Sequence, residues 1–406
     1  MSEWKEYKFS DIAEVIGGGT PDTFNVSYWN GDIPWLTPKD LTGYSKIYIS
    51  KGERNITSDG LKNSSAKLLP KDTVLLTTRA PIGYVAIAEN EIATNQGFKN
   101  FVLKKDYADC KFVYYWLKNN IDYLRSIGTG TTFAEISGSV VKEIKILLPP
   151  LSEQKSIASI LSSLDDKIDL LHRQNATLEK MGETLFRQWF VERRPEPVEG
   201  EAKEEWKEIK LGRIVDIING VSYNSDDLNP SKTAMVTLKN FDRNGGFRMD
   251  GFKEYIGKYK KQHILKEGDL VVAQTDITQE AGVIGNPVMV IGNPKYDTLV
   301  FSMDLVKVIS KDENYSNEFL YLLMKSRAFK EHCLGYSNGS TVLHLSKKAI
   351  PEYEMKLPSK NFINDFSIKI KPLVQKQYRN QTQIRTLTAL RDTLLPKLMS
   401  GEIRVL

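Results

Sequence analysis

Two long helical stretches constrain this chain more than any other feature. In Ser152–Phe190, apolar residues fall at Ile157, Leu161, Leu164, Ile168, Leu171, Leu178 and Leu185. From Ile157 to Leu171 the steps alternate four, three, four, three, a 3.5-residue period that reads as a coiled-coil seam and not as a strand. Pro149-Pro150 cannot lie inside a helix and Ser152 can cap the first turn, so the start is well marked. At 1.5 Å per residue such a helix is roughly 60 Å long. Its stripe needs a partner, and the chain supplies one. Asn361–Met399 repeats the pattern 209 residues later, with Phe366, Ile370, Leu373, Ile384, Leu387, Leu394 and Leu398. The preceding segments, Lys145–Pro149 and Glu354–Pro358, keep the same offset. Two helical segments of equal length point to an intramolecular pair.

Direction and register follow from polar residues on the seam. Packing the helices antiparallel about their common midpoint sets Asn175 against Asn380, Trp189 against Phe366 and Leu185 against Ile370. A parallel pair would leave both amides facing apolar side chains. A buried amide is unfavourable unless paired, and a paired one specifies register. The expectation is therefore an antiparallel pair with Asn175 and Asn380 near its centre.

The duplication extends into the rest of the chain. Trp4–Ala13 resembles Trp206–Val215, and each leads to a glycine turn, Gly17-Gly18-Gly19 or Asn219-Gly220. Phe112–Lys118 resembles Phe319–Lys325, and Gly128–Phe133 resembles Ser337–Val342. A two-copy repeat of this size is a duplicated domain and not a solenoid. The layout expected is a first globular unit (1–150), a central long helix (151–191), a linker (192–205), a second unit (206–358) and a distal long helix with its tail (359–406). The linker is nearly all charge, proline and glycine. Strands are expected near 33–37, 73–78, 83–88, 91–95, 100–104 and 141–148, with a helix near 109–125. In the second unit they are expected near 234–239, 269–274, 287–292 and 304–309, with a helix near 316–332. Strands followed by a helix, without regular alternation, indicate an α+β class: two tandem mixed α/β domains joined by an intramolecular antiparallel coiled coil with pseudo-twofold symmetry.

Chemistry is conspicuous mainly by its absence. There is no GxxxxGK[ST] loop, no GxGxxG, no HExxH and no CxxC, so neither a nucleotide site nor a metal is expected. The asparagine-proline-proline-aromatic signature of amino-group methyltransferases is also missing. Carboxylate–x–lysine triplets occur at Glu143–Lys145, Glu208–Lys210 and Glu354–Lys356, which leaves a nuclease as one reading. Cys110 and Cys333 sit in different halves and suggest no disulfide. A polar start and no long apolar run point to a cytoplasmic chain without membrane contact. The net charge of +5 is compatible with nucleic acid.

The loops carry side chains suited to DNA. Arg79, at a strand end, can grip guanine O6 and N7, and Asn95 and Gln96 suit adenine. Lys39 is exposed beside a turn, and Thr129, Thr131 and Thr132 form a hydroxyl-rich loop able to meet phosphates. In the second unit the corresponding places hold Lys239, Asn240, Gln274, Thr275, Asn338, Ser340 and Thr341. Each could equally be an ordinary turn. A scaffold with two peptide-binding modules on a coiled coil is the alternative.

The chain also resembles a known family, the specificity (S) subunits of type I restriction–modification enzymes. The resemblance is carried by Gly17-Gly-Gly-Thr-Pro21 with Tyr28–Asp40, Thr78-Arg-Ala-Pro-Ile-Gly83, Thr94-Asn-Gln-Gly-Phe98, Leu148-Pro-Pro-Leu-Ser-Glu-Gln154 and the ending Leu395–Val405. The second unit departs most, since it lacks a TNQGF motif. The resemblance implies a non-catalytic subunit whose two target-recognition domains each read half of a bipartite double-stranded DNA site. It implies that the long helices act as a spacer and bind two modification (methyltransferase) subunits. Those subunits hold S-adenosylmethionine, which this chain itself does not bind, and restriction subunits join the complex.

Overall fold

The computed structural model describes residues 4–130, 134–192, 206–242, 246–278 and 280–405. The chain forms two compact units, residues 1–172 with 382–406, and residues 173–381. The two long helices, Leu151–Arg187 and Lys360–Met399, each give one half to each unit. The expected linker lies almost wholly outside the described residues. No helix among the described residues is long and apolar enough to cross a membrane.

In the first unit the main sheet runs Ala13–Gly17, Phe98–Leu103, Val74–Thr78, Ile82–Ala88, Tyr48–Ile49. All its pairings are antiparallel except the last, which is parallel. A second sheet orders Arg54–Ile56, Trp29–Leu36 and Ala93–Thr94. Helices Cys110–Asn119 and Ile121–Ser126 cover the main sheet. Asp109 caps the first of these through the N–H groups of Lys111 and Phe112, both 3.0 Å away. Phe112, Tyr115 and Trp116 face the core, which they share with Phe9, Phe101 and Ile157.

The second unit repeats this plan. Val215–Asn219, Leu305–Ser310, Leu270–Ala273 and Pro287–Met289 form its main sheet. A mixed sheet of Lys253–Glu254, Thr233–Val236, Thr298–Phe301 and Ile264–Leu265 lies beside it, and Asn317–Lys325 with Arg327–Gly335 supply the helices. The two copies of the Trp-Lys-Glu motif have one structural role. Lys5–Lys8 pairs antiparallel with Lys145–Leu148, and Lys207–Lys210 pairs antiparallel with Glu354–Leu357. Each ribbon ties the start of a domain to the strand that enters a long helix. Residues of the triplets form surface ion pairs on or beside these ribbons, Lys8–Glu143 at 2.7 Å, Lys145–Glu6 at 2.8 Å and Lys210–Glu354 at 3.4 Å. One expected strand is corrected: Gly138–Glu143 is a helix capped by Ser137, and only Lys145–Leu148 is extended.

Within each unit the long helices run antiparallel. In the second, Trp189 meets Phe362 and Phe366 with ring centroids 4.9 and 5.6 Å apart, and a Cβ on Gly182 would lie 3.9 Å from Ile370 Cδ1. Asn380 is fully buried and its Nδ2 donates to Asn175 Oδ1 at 2.9 Å. Gln377 Nε2 donates to the Asn175 carbonyl at 3.2 Å. In the first unit Asp165 accepts from Arg391 Nη1 at 2.7 Å, and Glu153 takes a two-pronged contact from Arg404 at 2.6 and 2.8 Å. The buried stripe is wider than a two-per-heptad seam. Ala158 and Ser162 are buried as well, because the Cys110–Asn119 helix also packs on this face: Lys111 Nζ donates to Ser162 Oγ, and the Tyr115 hydroxyl donates to Asp165 at 2.6 Å. Burial pushes that hydroxyl's pKa up, so it remains a donor.

Candidate nucleic-acid interface

In the first unit the motif-bearing loops are stitched together at one end of the sheets. Gly18 and Gly19 donate to the carbonyls of Phe98 and Thr94 at 3.5 and 2.8 Å. A Cβ on Gly18 would sit 2.0 Å from the Asn95 carbonyl oxygen, so only glycine permits this approach. The Thr20 hydroxyl donates to Gln96 Oε1. Asn95 receives its position from Leu36, whose carbonyl accepts the Asn95 N–H at 2.8 Å. Its own Oδ1 accepts from the Gly97 N–H at 2.9 Å. The Gly97 carbonyl in turn accepts from the Thr78 N–H at 2.8 Å, directly before Arg79. Arg79 bridges to Glu135 in backbone pairing, as does Thr129.

The outward side chains on this framework are mostly the expected ones. Arg79 is 46% exposed and only loosely held, with Nη1 3.8 Å from Glu135 Oε2. Gln96, Thr129 and Lys39 are exposed, and Asn95 is half-buried. Lys39 pairs with Glu53 at 3.0 Å across open solvent, a contact easily exchanged for a phosphate. Thr131 and Thr132 lie outside the described residues. Behind this surface Asn100 is fully buried and donates to the Ile16 carbonyl at 3.1 Å and to Thr94 Oγ1 at 2.9 Å. This buttress was not singled out in the sequence, where it appears as one more asparagine.

The second unit builds the same framework from different residues. A Cβ on Gly220 would lie 2.1 Å from the Ser302 carbonyl oxygen, as on Gly18 against Asn95. Gln274 takes the place of Thr78, which puts Thr275 where Arg79 stands: the Gln274 carbonyl accepts from the Leu345 N–H at 2.8 Å, just as the Thr78 carbonyl accepts from Ile136 at 3.0 Å. The counterpart of Thr94–Phe98 is thus Phe301–Leu305, which sequence comparison missed because no residue type is shared. Met303, 50% exposed, stands where Gln96 does, and the Gln274 amide donates to its carbonyl. Lys239, Asn338, Ser340 and Thr341 are exposed and Gln274 is half-buried.

Two expected contacts, Asn240 and Thr275, are inside the framework and not on its surface. Asn240 is fully buried; its Oδ1 accepts from the Thr237 N–H and its Nδ2 donates to the Arg248 carbonyl, both at 2.9 Å. It closes a capping turn, as Asp40 does for Thr37 at 2.7 Å in the first unit. Thr275 donates its hydroxyl to Asp304 at 3.0 Å. Next to it, burial would raise the Asp276 carboxyl, but N–H groups of Val283, Thr278 and Ile284 hold it below the ordinary range. Lys330 underpins the same loop by donating to the Ala281 carbonyl at 2.9 Å and to Asn286 Oδ1 at 2.8 Å. Burial pushes the thiols up, Cys110 to about 11 and Cys333 to about 12, so neither is a ready nucleophile at neutral pH. Among the described residues, no group of three or more His, Cys, Asp or Glu is placed to hold a metal ion.

Comparison with known proteins agrees with this duplicated plan. The profile of the type I restriction modification DNA specificity domain matches twice, over residues 1–180 and 203–378. The type I restriction enzyme MjaIX specificity subunit of Methanocaldococcus jannaschii is 36% identical over 419 residues, covering 99% of this chain and 94% of that one. The HindI specificity subunit of Haemophilus influenzae is 24% identical over 478 residues, covering 99% and 100%. The crystal structure of the type I S subunit from M. genitalium shares the fold, with a TM-score of 0.60 at 19% identity over 98% of this chain and 96% of that one. Two specificity domains, each built on the same loop framework, place this chain in the type I restriction–modification specificity-subunit family.

Proposed function

We propose that this chain reads a bipartite double-stranded DNA target, one half through each unit, and acts without catalysis of its own. The observation that carries the reading is one loop framework built twice with different outward side chains. A shared scaffold with variable tips suits two half-sites of unrelated sequence. In the first unit Arg79 would take a guanine edge, Asn95 and Gln96 an adenine, and Lys39 and Thr129 the backbone. The loose Arg79–Glu135 pair is weak enough to give way to such a contact. In the second unit Lys239 would meet phosphates, while Gln274, Asn338, Ser340 and Thr341 would line the groove. The long helices would hold two methyltransferase subunits, which carry S-adenosylmethionine, and restriction subunits would join that assembly.

Exchange of residues 206–345 for those of another family member tests the division of labour. The methylated motif of a host expressing the hybrid with its methyltransferase should change in one half only. A change in both halves refutes separate reading. An electrophoretic mobility shift that is insensitive to salt would refute duplex binding and favour a protein-binding scaffold.

A further inference from the structure

Phe24 is 92% exposed, more than any other large apolar side chain among the described residues, and Val26, two positions on, is 77% exposed. The segment bearing them is braced, not loose. The Asp22 carboxylate accepts the Phe24 N–H at 3.0 Å, and Asn25 Oδ1 accepts both the N–H and the hydroxyl of Ser27, at 3.1 and 2.7 Å. The buried Trp29 donates its indole N–H to the Asp22 carbonyl at 3.1 Å, and the Thr57 hydroxyl donates to the Ser27 carbonyl at 2.9 Å. The result is an aromatic ring held in water on a fixed turn. With Val26 it presents an apolar tip whose burial against a partner would be favourable.

We infer that Phe24 is an apolar wedge that enters a base step of the duplex held by the first unit, opening the stack there. The inference rests on the duplex-reading function proposed above. Thr20, which binds Gln96, precedes Phe24 by four residues, so the ring's Cα lies within about 14 Å of Thr20 and hence beside the reading loops. The surroundings favour a polyanion over an apolar protein groove. The Arg54 guanidinium lies over the Trp29 ring, 3.5 Å from its centroid, and is exposed. Lys62, at the end of the helix that packs on Tyr28 through Gly60, is exposed too. An apolar tip on a turn whose bracing elements carry the exposed Arg54 and Lys62 matches DNA, where phosphates line the groove and the apolar surface lies between bases. Covering the same tip with an apolar protein surface would strip water from those cations. A flexible pyrimidine–purine step is the easiest to open in this way.

The test uses the full chain and a duplex carrying the motif found methylated in its host. 2-Aminopurine replaces each adenine of the first half-site in turn, any base found methylated excepted. Fluorescence should rise at one step with the native chain and with Phe24→Trp, and stay flat with Phe24→Ala. Phe24→Ala should bind about tenfold more weakly, as loss of one aromatic–base stack implies, while unfolding at the native temperature. An abasic position at that step should narrow the difference. Equal affinity and equal fluorescence for native and Phe24→Ala overturn the wedge and leave duplex reading intact. If the native chain binds no duplex, the underlying reading falls and the wedge with it. If Phe24→Ala loses only its assembly with the methyltransferase, the tip is a protein contact and the wedge is refuted.

Discussion

The asparagine pair between the long helices makes an asymmetric prediction. Asn380 is fully buried and donates to Asn175 Oδ1 at 2.9 Å, with a longer contact to Gln174 Oε1 at 3.4 Å. Asn175 is only half-buried. Asn175→Leu therefore strands a fully buried amide and should destabilise the second unit by about 2–3 kcal/mol. Asn380→Leu leaves an amide that can turn to water and adds buried apolar surface, so it should be milder, about 1 kcal/mol. The double leucine variant removes both polar partners at once. It should come within about 1 kcal/mol of the native chain, giving a coupling energy of at least about 2 kcal/mol. Hydrogen exchange of the backbone amides over 173–187 and 363–381 measures the local opening free energy of this segment. Additive single losses, or a heavier loss from Asn380→Leu than from Asn175→Leu, would refute the argument that burial of the donor decides the penalty.

Arg79→Ala should weaken binding of the target duplex by about 1–3 kcal/mol and relax one base position of the first half-site in the methylated motif; an unchanged motif would make Arg79 a loop residue only. The hydrogen bonds from Arg404 lower the Glu153 carboxyl pKa. The folded value thus lies below the unfolded one, so the stabilisation is complete above the ordinary carboxylate value, about 4.3, and is lost as pH falls through the depressed folded value. Glu153→Gln should accordingly melt below the native chain at pH 7, and the two melting curves should converge in that acid range. Gly182 sits inside the central helix with Leu322 Cδ2 3.4 Å from where its Cβ would be, an ordinary contact. Gly182→Ala should raise stability by about 0.5–1 kcal/mol, read as a higher urea midpoint.

Periodicity made the helices legible because it expresses a physical requirement: a stripe must be buried at every turn, so the pattern persists for tens of residues. Of the short ribbons only Lys145–Leu148 falls within an expected strand. Lys5–Lys8 is mostly exposed, and its partner strand begins at Lys145; nothing local distinguishes such a strand from a polar turn. The strand expected near 141–148 took in the β-branched Val141, yet Ser137 caps a helix over 138–143, so a local signal overrode propensity. The fate of Asn240 was readable in principle. Thr237 and Asn240 repeat the spacing of Thr37 and Asp40, which is that of a capping box, so its amide was already committed to the backbone. Thr275 offers no such cue, since its partner Asp304 lies 29 residues away. The candidate interface of the second unit stayed obscure for a related reason. The backbone approach at Gly220 constrains shape and leaves side chains free, so the framework persists where the letters do not.

The division of the chain between the units carries a consequence for biosynthesis. The second unit is one continuous stretch, 173–381, whereas the first also needs residues 382–406. Leu398 and Met399 complete the first unit's core around Ile157 and Leu161, and Arg404 closes over Glu153. A ribosome moving from the first codon to the last thus makes most of the leading unit early but completes it last. The later-made unit can assemble while the earlier one still waits with an uncovered helix face. A stop codon just beyond residue 381 would strike the unit translated first and spare the one translated second.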